Sequence, residues 1–196
     1  MLNVVEAIME IYPSISGGFA YWHTKDDGTP WDNLVDGLVW ENEQFEKPSW
    51  QKIESKFPVV ELRNAKQRKI NEVKIVRDRK NISPITDYKA FLIDDEGNKT
   101  NQESYFIFYT NRHQTNPASD PESIISRSKE LGSMPYFTKD LEGKKITVEL
   151  TAEIAVLLKQ RIFERSDNNY KVSGSIEESI NNAQNIEELQ AIQLEE

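Results

Sequence analysis

LVWENEQFEKPSWQKIESKF (residues 38–57) changes character twice along its length. It opens apolar and β-branched, which suits a strand. It then turns charged, and at Pro48-Ser49 it changes again. Ser49 has the chemistry of an N-cap, a side-chain oxygen ready to accept from a backbone N–H in the next turn. Trp50, Ile53 and Phe57 follow at i, i+3 and i+7, the spacing of one helical face. A strand that leads into a capped helix makes this a mixed α and β chain.

Toward the N-terminus, Asn3 is placed to cap a first helix, with Glu6 three residues on as in a capping box. Val4, Val5, Ile8, Ile11 and Tyr12 line one side of it. Pro13 and Gly17-Gly18 stop it. GFAYWHT (18–24) reads as a strand, Asp27-Gly28 as a turn, and Leu34 to Trp40 as the partner strand. Pro58 is read as the end of the second helix. Residues 1–58 are thus expected to form an α+β docking module, helix–β-hairpin–helix, with aromatics supplying most of its core.

The next stretch, ELRNAKQRKINEVKIVRDRKN (61–81), has no Gly or Pro. Between 62 and 80 it carries eight Lys or Arg and two acids. Its apolar stripe is thin, so 59–82 is expected as a basic connecting helix that packs on one neighbour or on copies of itself. Residues 83–196 are expected as a second α+β module. TDYKAFLID (86–94) and ESYFIFYTN (103–111) read as a hairpin, with one aromatic face that must be covered. Asp120-Pro121 opens a helix that ends at Gly132. PYFTKDLEGKKITVEL holds two strands. Thr151 caps a long helix to about Ala183, loosened near Gly174, whose stripe is interrupted by Arg165 and Asn169. NIEELQAIQ is a last short helix. The fold class is therefore α+β, two small modules joined by a charged helix.

The chain has 196 residues, with 37% hydrophobic and 29% charged residues, four Trp and a net charge of −9. Its mean hydropathy is −0.66. Aromatic content argues against disorder. The acidic balance argues against nucleic acid as a partner, since phosphates would be repelled. The absence of Cys removes disulfides, thiolate zinc sites and cysteine nucleophiles, and fits assembly in a reducing cytoplasm. The first residues carry Glu6 and Glu10 and no basic start, unlike a signal peptide. No apolar run approaches a membrane span.

Candidate chemistry is sparse. DDEGNKT (94–100) spaces carboxylates as a calcium loop does, but its glycine is misplaced and a hairpin turn is the better reading. His23 with Asp26, Asp27 and Asp32 has metal-ligand chemistry, yet Asp-Gly between strands is first a turn. His113 lies alone in a polar loop. No nucleophile, zincin or phosphate-loop motif appears. The reading is not an enzyme, with no catalytic residue, cofactor or metal. The Trp residues 22, 31, 40 and 50 suit a sugar platform, but burial of most of them is the stronger expectation.

Two regions resemble bacteriophage proteins. AIMEIYP, a strand with YW, an Asp-Gly turn, VW and KPSWQKI resemble the N-terminal module of XkdW-like tailed-phage proteins. DPESIISRSKELG, FTKDLEGKKITVELTAEIAVLLKQRIFE and INNAQNIEELQAI resemble a domain of unknown function at the C-termini of phage tail-fibre and tail-accessory proteins. The resemblance implies a structural component of a tail or baseplate, made in the host bacterial cytoplasm and located in the virion. It would link or anchor tail fibres through other phage proteins, as a homo-oligomer, without nucleic acid or membrane. A fibre-assembly chaperone and a receptor-binding adhesin are the alternatives. The expected interface residues are Trp22, Trp40, Trp50, Tyr105, Phe106, Phe108, Ile162, Val172, Ile176 and Ile180.

Overall fold

The computed structural model describes residues 3–111 and 120–194, and its chain is α+β. His113 and most of the polar loop around it lie outside the described residues. Two compact units divide the chain: Met1–Ile70 with Ile180–Gln193, and Asn71–Ser179 with Leu194–Glu196. The division falls inside two long helices, whereas the sequence suggested a separate connector at 59–82 and a continuous module over 83–196.

In the first unit, α1 (Val4–Ile11) begins at Asn3, whose side chain accepts from the Glu6 N–H at 3.1 Å. Strands β1 (Phe19–Tyr21) and β2 (Leu38–Trp40) pair antiparallel, Ala20 opposite Val39. The expected strand from Leu34 is instead a 3-10 turn over Leu34–Gly37. The Trp31 indole donates to the Trp22 carbonyl at 2.9 Å. A Cβ on Gly37 would lie 2.3 Å from that same carbonyl, so the close approach requires glycine.

Ser49 caps α2 (Trp50–Glu54), and α3 runs over Phe57–Asn81. Pro58 thus lies past the end of α2 and opens a further helix as well. It sits in the first turn of α3, where its missing N–H has no intrahelical partner to lose. Its ring excludes the carbonyl four residues back, which is why α2 cannot continue into α3. Aliphatic side chains fill the core: Val4, Ala7, Ile8, Ile15, Leu38, Ile53 and Val60. The aromatics expected there form its half-buried rim, with Phe19 stacked on Trp40 at 5.8 Å and Tyr12 against Phe45 at 4.9 Å.

The basic residues of α3 in this unit act on named acceptors. Arg63 bridges Glu6, at 2.9 Å, and Glu10. Lys66 donates to the carbonyl of Asn181 at 2.7 Å and Lys69 to that of Leu189 at 2.8 Å. Those carbonyls lie at the C-terminal ends of α5 (Ala152–Asn182) and α6 (Ile186–Ala191), where a helix leaves its last carbonyls unpaired and carries partial negative charge.

Glu6 has a pH consequence. The hydrogen bond from Asn64 lowers its carboxyl pKa, burial partly opposes this, and Arg63 lowers it further. A lowered folded-state value means that the stabilisation is complete above the unfolded value of about 4.3 and is lost as pH falls through the folded value. Glu6→Gln should therefore melt below the parent at neutral pH, and the two should converge in acid. A gap that persists unchanged in acid would remove Glu6 ionisation as the cause.

In the second unit, β3 (Lys89–Ile93), β4 (Lys99–Tyr105), β5 (Ser133–Lys139) and β6 (Lys145–Thr151) form one antiparallel sheet in the order β4-β3-β6-β5. α4 (Pro121–Leu131) starts at Asp120 and ends at Gly132, and α5 starts at Thr151, whose hydroxyl accepts from Ile154 at 3.3 Å. Ile124 and Ile125 of α4 and Ala155 and Leu158 of α5 cover one sheet face over Ala90, Tyr136, Val148 and Leu150. α5 runs unbroken through Gly174, which is exposed.

Both hairpins turn alike. Asp94 donates its N–H to the Asn98 carbonyl at 3.0 Å and accepts from Gly97, while Asp140 does the same with Lys144, at 2.9 Å, and Gly143. Each glycine has φ +86, the left-handed residue that closes a three-residue loop. The Asp94 carboxylate accepts from the Glu96 and Asn98 N–H groups, so DDEGNKT is built as a hairpin turn.

The expected strand 103–111 ends as β4 at Tyr105, beyond which the Phe106 N–H still donates to the Tyr88 carbonyl at 3.4 Å. Phe106 and Phe108 turn into the core, Phe108 bridges Ile85, and the Ile107 N–H donates to Lys139 at 2.9 Å. Burying two Phe side chains stabilises by about 1.5–3 kcal/mol each, which outweighs extending an exposed hairpin.

Candidate functional site

Strand alternation exposes a second sheet face. On β5, Tyr136 and Thr138 are buried while Pro135, Phe137 and Lys139 are exposed. Phe137 is 79% exposed, more than any other large hydrophobic among the described residues. The register sets Phe137 opposite Thr147 and Lys139 opposite Lys145. Leu92 lies opposite Val148 on the covered face, so Phe91 and Ile93 share the outer face with Thr147 and Glu149.

At one end of the sheet these residues line a groove of about 620 Å³, which includes Ile93, Asp95, Tyr109, Phe137, Lys139, Lys144 and Lys145. Asp95 is the one acid among its lining residues, against three lysines. Like charges directly opposite one another on a sheet are destabilising, so Lys139 and Lys145 leave a local excess of positive charge in a chain of net −9. Further along the outer face the cations are already engaged: Lys99 lies 2.7 Å from Glu149 and 4.3 Å above the Phe91 ring, and Lys89 lies 4.7 Å above Tyr105. The groove thus joins an exposed aromatic ring to the side chains of three lysines. It suits an acidic segment with an apolar side chain. Among the described residues no three His, Asp or Glu side chains gather as around a metal ion.

The expected interface residues separate into four groups. Phe106, Phe108 and Ile180 are at most 1% exposed and belong to cores, which corrects their assignment to a surface: aromatic and aliphatic side chains this large are stabilised by burial. Trp40 and Trp50 are half-buried against the first unit's core, and Ile162 packs on that of the second. Val172 and Ile176 line a cavity of about 60 Å³ with Val73 and Val76 of α3. Tyr105, 43% exposed, and Trp22, 62% exposed, remain on the surface. Sequence reading missed Phe137 and the three lysines. The signal was there in SMPYFTK, whose period of two puts Phe137 and Lys139 opposite Tyr136.

No family model matches this chain, and neither a curated protein nor a solved structure matches it. No helix among the described residues is long and apolar enough to cross a membrane.

Proposed function

We propose that this protein is a non-enzymatic structural component of a bacteriophage tail or baseplate, which links or anchors tail fibres through protein–protein contacts in the virion. The sequence resemblance supports the viral context. The docking role is carried by one observation, the groove in which Phe137 stands exposed beside Lys139, Lys144 and Lys145. Its occupant in this reading is an acidic, apolar-bearing segment of a neighbouring tail protein, chosen by charge complementarity.

Quantitative mass spectrometry of purified phage particles is the test. A fixed ratio of this protein to a known tail protein is expected, and absence from particles would overturn the structural role in favour of an assembly chaperone. Phe137→Ser combined with Lys139→Glu should lower incorporation at least tenfold, about 1.4 kcal/mol. Both positions are exposed, so the melting temperature should stay nearly unchanged. Normal incorporation of a folded variant would clear the groove of this role.

A further inference from the structure

The solvent face of α5 carries a regular apolar series. Val156, Phe163 and Tyr170 recur every seven residues and are 47%, 62% and 54% exposed. They flank the face that buries Ala155 and Leu158. Lys159 and Asp167 stand one turn before and one turn after Phe163, on the same i±4 ridge. Lys159 Nζ lies 5.7 Å from the Phe163 ring. Asp167 forms an exposed ion pair with Lys171 at 2.6 Å. Tyr170 is steadied by Arg77, 4.5 Å from its ring.

We propose that this face pairs with the same face of a second copy of the chain, antiparallel about a two-fold axis at Phe163. The charges select that occupant and that direction. The ridge reads positive, aromatic, negative. A two-fold antiparallel pair sets Phe163 against Phe163 and each Lys159 against the Asp167 of the other copy, while Val156 meets Tyr170. A parallel pair in register would set Lys159 on Lys159 and Asp167 on Asp167, and like charges would oppose it. The contact is isologous, so it closes as a dimer rather than growing into a filament. It is independent of the sheet groove and of the viral reading, since it requires only this chain.

Light scattering after size exclusion on the full chain tests it. A dimer in exchange with monomer is expected at about 100 μM protein, where even a weak pair is populated. Phe163→Ser should weaken association at least tenfold with helical content unchanged. Lys159→Glu alone and Asp167→Lys alone should each weaken it, because each creates like-charge contacts across the axis. Mixing these two variants in equal amounts should restore a dimer, since every contact across a mixed pair is then of opposite sign. A wild-type chain that stays monomeric at that concentration overturns the proposal. So does a mixture that associates no better than its components.

Discussion

Phe108→Ala is expected to lower the unfolding free energy of the second unit by about 3–5 kcal/mol, the usual cost of removing a buried aromatic ring. Phe108 is fully buried, touches Tyr136 with ring centres 5.5 Å apart, and belongs to the cluster under the sheet with Val148, Leu150 and Leu158. The segment that carries it leaves β4 to make this contact, and Phe108 itself is held there by a two-bond bridge to Ile85 at 2.8 and 2.9 Å. Truncation therefore leaves a cavity and removes the reason for the crossing. Urea denaturation followed by tryptophan fluorescence is a poor reporter, since all four Trp lie in the first unit. Far-ultraviolet circular dichroism and amide exchange in β5 and β6 are the measurements to make. Unchanged stability would return Phe108 to the surface role that its sequence first suggested.

Arg165→Met is expected to cost about 2–3 kcal/mol, the range for losing hydrogen bonds from a charged donor to partly buried acceptors. The Arg165 guanidinium donates to the carbonyls of Asn81 and Ser83 and to the Thr110 hydroxyl. The Asn81 carbonyl ends α3 and that of Ser83 lies two residues beyond it, so Arg165 supplies both donors and positive charge at this helix end. Burial lowers its pKa, with Arg161 adding to the effect, but a guanidinium stays charged at any pH the fold survives. Asn169 adds a bond to the Asn81 side chain at 2.8 Å. Arg165→Lys should recover less than half of the loss, because a point ammonium cannot reach three acceptors at once as the planar fork does. Amide exchange at residues 79–85 should quicken in both variants, more in Arg165→Met. If Arg165→Met melts with the parent, the cap contributes nothing and α3 ends on local signals alone.

The two cases mark where reading from residues stops. Helix starts were legible because a cap is local: Asn3, Ser49, Asp120 and Thr151 each accept from an N–H three residues on. The Asp-Gly and Glu-Gly turns were legible for the same reason, since glycine alone takes a left-handed φ without strain. The α+β class followed from these signals with the hydrophobic periods. Arg165 and Asn169 were visible only as breaks in an apolar stripe. Nothing within α5 says that the end of another helix, more than eighty residues earlier in the chain, lies against them.

Local chemistry by itself thus determined the fold class, the capped ends of the helices and the sites of the turns. Tertiary structure alone decided which aromatics are buried. Phe106 and Phe108 share the β-spacing of any half-exposed strand, yet the covered sheet face draws both inward. Phe137 has a similar spacing and is left in solvent because it alternates with the buried Tyr136 and falls on the sheet face that no helix covers. The same holds for the basic helix, whose Lys66 and Lys69 donate to the carbonyl ends of helices distant in sequence. A side chain's period along the chain sets which residues share a face. Which face meets a partner depends on elements distant in sequence, and that information enters only when they pack.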